Sequence, residues 1–531
     1  MHSAKRATVM IGDFLKEAKS PVSTSKDLVI GVDCSTTASK AVVWDLCGSP
    51  LAEGRCALPL IMPRPAWHEQ QAELWWTATT QALREAVAQV DPRRLAALCI
   101  THQRETFVPV DEAGHPLRNA IVWMDERCRS LLPELERMWG GAHIHQLTGK
   151  PLSGNLSLGK ILWLKHNEPE DFGRVFKFLD VHAFLVYRMT GHFRTGWGCA
   201  DPTGLFDTRQ HRWADELVQA IGLRLDQLPE AYPPGEILGE VTQEAAIACG
   251  LPVGLPVVTG LGDGQSAGLG ANITRDRLAY LSLGTSVVSG TCSESYVTDR
   301  AFRTMTSGLP GVFLLETVLL AGTYIVNWFL DSFGSGAADW SNDQALEAAI
   351  QNVPPGALGL VLVPYWNSAM NPYWDATASG IVVGWRGFHD RAHLYRSILE
   401  GIAFEQRLHT SGVEAATGQD IECFIATGGG ARNSAWLQII ADITGKPVFR
   451  SVTLETAALG AGILAASAVG LYSNVQDAAT AMTHVEQIPI EPDARRSALY
   501  SRLYEQVYRH LFPALQPYLS RLTELSENTQ S

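Results

Sequence analysis

Positive charge is scarce in this chain, and its cysteines form no pattern. Lys and Arg number 42 against 55 Asp and Glu, a formal net charge of −13. That balance disfavours nonspecific attachment to nucleic acid or to an anionic membrane, so neither is expected as a partner. Any anionic ligand must be held by local donors against the overall field. The nine cysteines are scattered and form no CxxC pair, and an odd number over 531 residues is not a disulfide frame. Reduced, buried thiols in a cytoplasmic protein are the expectation. Residues 1–27 carry Lys and Arg but no continuous apolar core, so no secretory signal is read there. The most apolar stretch, Val312–Leu330, is interrupted by Glu316 and Asn327 and broken at Gly322–Thr323. It reads as a buried strand followed by a helix, not a membrane span. The patterns GxxxxGK[ST] and HExxH and a properly spaced GxGxxG are also missing. Their absence excludes a P-loop, a zincin and a Rossmann dinucleotide site. His68-Glu69 has no second histidine at helical spacing and is not read as a metal site.

What remains is ordinary globular chemistry, 46% hydrophobic and 18% charged. A single core rarely accommodates this length, so two domains of roughly 200–250 residues each are expected. Residues 1–27 read as a disordered N-terminal extension, with one amphipathic helix over Met10–Lys19 and a linker over Ser20–Ser25. Order begins at Leu28. Leu28–Val32 reads as a buried strand, Asp33–Lys40 as a turn of small polar residues and Ala41–Asp45 as the return strand. A third strand near Leu51–Leu58, a helix over Ala72–Val90 and a strand over Leu95–Thr101 follow.

A related pattern returns later: strand Arg277–Ser282, turn Leu283–Ser286, return strand Val287–Thr291. Two distant hairpins thus each present a hydroxyl-rich turn from a sheet end. Helices are expected over Arg391–His409, over Ser434–Thr444 (capped by Asn433 or Ser434 and ended by Gly445 and Pro447) and over Thr456–Val469. A boundary near Gly270–Arg275 divides the chain into residues 28–270 and 271–531, with the cleft between them as the natural ligand site.

Four clusters carry chemistry. In Gly31-Val-Asp33-Cys-Ser35-Thr36-Thr37-Ala-Ser39-Lys40, small residues let backbone N–H groups and hydroxyls approach phosphate oxygens, and Asp33 suits a water-mediated Mg²⁺ contact. A tight hairpin with a capping aspartate is the alternative. Leu283-Gly284-Thr285-Ser286 is the matching turn, placed to hold the other side of a polyphosphate. Thr427-Gly428-Gly429-Gly430-Ala431-Arg432-Asn433 joins a strand to a helix. Three glycines are costly unless backbone must come close to an adenine, to a phosphate or to a crowded neighbour. Gly260-Leu-Gly262-Asp263-Gly264-Gln265 presents a carboxylate at a strand end, suited either to accept a hydroxyl proton or to a structural turn.

In this order the clusters resemble the FGGY carbohydrate kinases, the family of glycerol kinase and xylulokinase, over Leu28 to about His510. Asn155-Leu-Ser157-Leu-Gly-Lys160-Ile-Leu-Trp163-Leu-Lys-His-Asn167 is similar to one family signature, departing from it at Asn155 and His166. Gly380-Ile-Val-Val-Gly384 with His393-Leu394 and Ser397-Ile-Leu-Glu400 is similar to the other, with Trp385 where an aliphatic is usual. The resemblance implies an α/β chain of two actin-like ATPase domains, each ribonuclease-H-like, closing on a cleft. It implies Asp33 at the Mg²⁺ site, Ser35, Thr36, Thr37 and Lys40 at the ATP phosphates, and Gly284, Thr285 and Ser286 opposite them. Gly428, Gly429, Gly430 and Asn433 would border the adenosine, and Asp263 would be the base. Ser35 stands where many members have glycine, which implies altered detail at that turn.

The resemblance places the acceptor among His102, Gln103, Arg104, Glu105, Trp123, Asp125, Asp263 and Gln265. Arg104-Glu105 matches the pair with which glycerol kinase holds a diol, and Trp123 its pocket tryptophan. Asn155 replaces the tyrosine found there, and Trp123-x-Asp125-x-Arg127 is more similar to xylulokinase. The expected reaction is phosphorylation of a terminal hydroxyl of a ketopentose such as D-xylulose, with ATP and Mg²⁺ and with Asp263 as base. Glycerol or another polyol is the alternative acceptor. A non-catalytic sugar-binding regulator and an actin-like ATPase switch are the readings from other classes. The sequence leaves a homodimer open.

Overall fold

The computed structural model describes residues 21–22, 24–333, 348 and 350–530; the expected helix over Met10–Lys19 lies outside them. Two six-stranded sheets organise the chain. The first contains β1 (Leu28–Cys34), β2 (Ala38–Trp44), β3 (Pro50–Ala57), β4 (Leu95–His102), β5 (Ile237–Glu240) and β6 (Pro256–Val258), in the order β5-β6-β4-β1-β2-β3. β1, β2 and β3 form an antiparallel meander, while β4 and β6 join it in parallel. The second contains β7 (Leu278–Leu283), β8 (Val287–Ser293), β9 (Arg303–Thr306), β10 (Phe313–Leu319), β11 (Cys423–Thr427) and β12 (Val448–Arg450), in the order β9-β10-β8-β7-β11-β12. Here β7, β8 and β10 form the meander, and β11 and β12 follow in parallel. A five-strand core recurs, β3-β2-β1-β4-β6 in the first sheet and β10-β8-β7-β11-β12 in the second, with the sixth strand on opposite edges: two ribonuclease-H-like units in an actin-like arrangement.

Helices cover both faces, which explains why the parallel strands are apolar throughout. On β1, Leu28, Ile30 and Val32 pack with Trp75, Ala78 and Leu83 of α1 (Ala72–Val87). Val29 faces the other way, into a core shared with Ala458, Leu459 and Ile463. These belong to the last of the helices labelled here: α2 (Ser157–Asn167), α3 (Val181–Thr190), α4 (Asp263–Gly270), α5 (Thr323–Phe333), α6 (Arg391–Thr417), α7 (Ser434–Thr444) and α8 (Thr456–Ala468). Gly31 is required by this packing, because a Cβ there would stand 1.8 Å from the Ala458 carbonyl oxygen. α8 therefore belongs to the second half of the chain yet packs on the first sheet. Ser266 of α4 donates to its Ala457 carbonyl at 2.7 Å.

The apolar stretch Val312–Leu330 resolves into β10 and α5, and among the described residues no helix is long and apolar enough to cross a membrane. The nine cysteines are unpaired; seven are buried, Cys47 is exposed and Cys56 half-buried. A subsidiary four-stranded sheet (Glu69–Gln70, Ala120–Ile121, Phe107–Val110 and Lys177–Asp180) and α2 extend the first half; Trp123 lies just after Ala120–Ile121 and Asn155 just before α2. α6 runs eight residues past the expected His409, to a left-handed cap at Gly418.

Candidate active site

The site gathers at the ends of β1, β4 and β6, with Glu316 contributed from the middle of β10. Asp33 is the penultimate residue of β1, opposite Lys40 in the β1–β2 register. Its Oδ1 is buried with no hydrogen-bond partner. Burial, reinforced by the negative charges of Asp263 and Glu455 and opposed by Lys40, pushes its carboxyl up to about 7. Lys40 pairs with Glu455, the residue before α8, at 2.7 Å.

Asp263 is the first residue of α4, where the helix dipole favours a carboxylate. Its side chain is 42% exposed, and Arg104 Nε lies 2.9 Å from its Oδ1. Arg104 also donates from Nη1 to both oxygens of Glu316 at 2.8 Å. Arg303 donates to Glu105 Oε1 at 2.7 Å and to Glu316 Oε1 at 2.6 Å. Glu316 is fully buried. Burial alone would raise its carboxyl, but Arg104 and Arg303 hold it below the usual range. Glu105 adopts φ +58, uncommon for a non-glycine residue, and its carbonyl accepts from Ser157 Oγ at 2.9 Å. Such backbone costs on the order of 1 kcal/mol and persists where surrounding contacts enforce it.

The first hairpin turn touches the pocket directly. Thr36 Oγ1 donates to Gln103 Oε1 at 3.0 Å and accepts from Trp123 Nε1 at 3.0 Å. Gln103 Nε2 donates to Gln70 Oε1 at 2.8 Å. Ser35 Oγ bonds the Ala38 carbonyl within the turn, and Thr37 is exposed. Trp123 is held from behind by Lys160. That buried ammonium donates to the Trp123 and Asn155 carbonyls at 2.7 Å each, and burial lowers it to about 8.

In the second half, the turn Gly284–Ser286 is fastened to the start of α5. Thr323 N–H donates to the Gly284 carbonyl at 2.8 Å, and Gly322 N–H to the Thr285 carbonyl at 2.9 Å. The three glycines after β11 do different work. Gly428 sits at φ +81, and a Cβ on Gly430 would stand 2.5 Å from Trp436 and 2.9 Å from Leu283. Nothing lies within 4 Å of a Cβ on Gly429, so protein packing does not demand its bareness. Asn433, not Ser434, caps α7, accepting from Trp436 N–H at 2.9 Å.

Two expected acceptor residues are occupied elsewhere, and a third in part. His102 is fully buried, with Nδ1 2.6 Å from the Gln103 carbonyl and its ring beside His182 and Asp180 in the core. Asp125 is saturated: Arg127 grips both its oxygens at 2.8 Å, and His68 N–H donates at 2.6 Å. Gln265 donates from Nε2 to the Gly198 carbonyl at 2.9 Å, while its Oε1 is buried without a partner. Sequence reasoning missed Arg303, Glu316 and Glu455. The signal for Glu316 was present, since a carboxylate within an apolar strand must be paired where it is buried.

Residues 28–270 match the N-terminal domain, and residues 279–469 the C-terminal domain, of the FGGY family of carbohydrate kinases. The chain is 31% identical over 505 residues to a xylulose kinase of Escherichia coli, covering 93% of this chain and all of that one. It is 30% identical over 485 residues to a glycerol kinase of Thermococcus onnurineus, covering 89% and 95%. The crystal structure of xylulose kinase from Rhodospirillum rubrum superposes with a TM-score of 0.85 at 28% identity, covering 93% of this chain and 99% of that one.

Proposed function

The chain belongs to the FGGY family of carbohydrate kinases, and from this we propose that it transfers the γ-phosphoryl group of ATP to a terminal hydroxyl of a neutral ketose, D-xylulose first. The observation that carries the reading is Asp263. It is a half-exposed carboxylate at a helix N-terminus, oriented by Arg104 amid side chains that are otherwise buried.

Phosphoryl transfer needs placement and charge stabilisation more than covalent chemistry. In this reading Arg104 and Glu105 hold acceptor hydroxyls, Trp123 covers the C–H face, and Asp263 accepts the proton of the attacking hydroxyl. Ser35, Thr36 and Thr37 in residues 28–270, and Gly284, Thr285 and Ser286 in residues 271–531, face the phosphates. Gly428–Gly430 borders the adenosine, with Gly429 bare for close approach. Asp33 has one orphaned carboxylate oxygen, with the carboxylates of Asp263 and Glu455 close enough to raise its own carboxyl. Among the described residues no group of three or more His, Cys, Asp and Glu side chains could hold a metal alone. That suits Mg²⁺, which takes one or two carboxylates and completes its shell with water and phosphate. Bound there, Mg²⁺ neutralises phosphate charge.

A neutral acceptor is favoured over a sugar acid or sugar phosphate because the arginines and Lys150 around the site are ion-paired, and Lys160 is spent on the Trp123 and Asn155 carbonyls. Arg104 meets Glu316 and Asp263, Arg303 meets Glu105 and Glu316, Lys150 meets Asp201 at 3.0 Å, and Arg127 meets Asp125 and Glu69. Glycerol remains the second reading, on the adjacent Arg104-Glu105 pair. Phosphorus NMR of a reaction with MgATP and D-xylulose tests the proposal. One phosphomonoester on a terminal carbon is expected; no ester from D-xylulose, with ester from glycerol, would transfer the reading to the polyol.

A further inference from the structure

Arg104 and Glu105 belong to the first half of the chain, yet both are gripped from the second. The β9–β10 register sets Arg303 directly opposite Glu316. From there the two side chains meet the end of β4. Arg303 reaches Glu105 at 2.7 Å, and Glu316 takes Arg104 at 2.8 Å. Charges alternate along one line: Glu105, Arg303, Glu316, Arg104, Asp263. Four of the five are buried, and only Asp263 at the end is open to solvent.

A buried ion pair is weak evidence for stability, since apolar residues of similar volume often serve as well. Position is what this line supplies. Arg104 uses Nη1 for Glu316 and Nε for Asp263, so the orientation of its guanidinium toward Asp263 is set by Glu316. Tyr280 of β7 adds a hydroxyl 3.3 Å from Glu316 Oε2. The carboxylate of Glu105, whose backbone is held at φ +58, is fixed at its far end by Arg303.

We propose that Glu316 and Arg303 are positioning residues for phosphoryl transfer. Glu316 sets the orientation of Arg104 and how strongly that cation bears on Asp263, and Arg303 fixes Glu105, so the second half of the chain shapes the acceptor pocket of the first. This rests on the reading of Arg104 and Glu105 as acceptor ligands and of Asp263 as base. Neither positioning residue touches the acceptor.

The test is steady-state kinetics of the full chain with MgATP and whichever of D-xylulose, glycerol and D-gluconate the unaltered protein turns over fastest. Glu316→Gln keeps the shape and removes the charge. Its kcat/KM for the acceptor should fall about 100-fold, the loss a small misplacement can cause, while KM for ATP stays within about twofold. Arg303→Lys, which keeps its charge, should raise KM for the acceptor more than KM for ATP. It decides the matter if Glu316→Gln does not fold. Folded variants whose acceptor and ATP parameters change together would overturn the positioning role. Undiminished turnover by Asp263→Asn, or no turnover of any acceptor, would instead overturn the reading beneath it.

Discussion

Trp123 donates from its indole Nε1 to Thr36 Oγ1 across 3.0 Å, and the same hydroxyl donates to Gln103. The proposed wall of the acceptor pocket and the turn proposed for the ATP phosphates therefore share one hydroxyl. Trp123→Phe keeps a ring and removes the donor. A net hydrogen bond is worth about 1 kcal/mol, roughly fivefold in a binding constant. KM should rise by about that factor for the acceptor and, through the loosened turn, for ATP as well. Steady-state titration of both substrates checks it; two unchanged values would show the bond idle.

The glycines after β11 separate packing from ligand approach. Gly429→Ala meets no protein atom within 4 Å, so stability should stay within about 0.5 kcal/mol. KM for ATP should nonetheless rise, by about tenfold if the added methyl costs about 1.4 kcal/mol of contact. Gly430→Ala forces a carbon to 2.5 Å from Trp436 and should cost about 1–3 kcal/mol in a denaturant melt. Equal effects of the two substitutions on ATP affinity would remove Gly429 from the nucleotide site.

Asp33 combines an orphaned oxygen with two carboxylate neighbours, an arrangement unfavourable in the absence of a cation. Asp33→Asn should therefore stabilise the metal-free protein by about 1 kcal/mol while turnover is lost. It should also remove the extra thermal stabilisation that Mg²⁺ adds to ADP. A full Mg²⁺-dependent shift in the variant would place the cation elsewhere.

Glu405 titrates far from the chemistry, between the hydroxyls of Tyr365 at 2.7 Å and Tyr508 at 2.6 Å. Burial pushes its carboxyl up to about 7 from an ordinary 4.5, against the two donating hydroxyls. Between those values the folded chain keeps a proton that the unfolded chain has lost. Its contribution is thus full below the unfolded value and falls as pH rises through the folded one, by about 3 kcal/mol in total. Glu405→Gln should flatten that part of the pH–stability curve, measured by urea unfolding from about pH 5 to about pH 8. An unaltered slope would assign the proton to another group.

The sequence carried the two hairpins and their turns, because each hairpin is local: an apolar strand, small polar residues, an apolar return; the short strands β5, β9 and β12 were not read from it. α1 ends at Val87, three residues before the expected Val90, and α6 continues to the glycine that can end it. Partners far along the chain were not legible. Arg303 and Glu316 stand 198 and 212 residues from Glu105 and Arg104, and no local pattern ties them. Glu316 drew notice only as an interruption of an apolar stretch, the mark of a buried charge that needs a cation. His102 and Asp125 adjoin pocket residues in sequence, but strand alternation and the Arg127 clamp turn their side chains to other partners.

The most direct measurement is ADP release from MgATP with and without D-xylulose, by the unaltered chain and by Asp263→Asn. The account predicts saturable, sugar-dependent release, reduced by about a thousandfold in the variant, within the range for losing a general base. ATP binding by the variant should be retained. Release by Asp263→Asn at the unaltered rate would contradict the assignment of Asp263 and, with it, the mechanism built around the Arg104 contact.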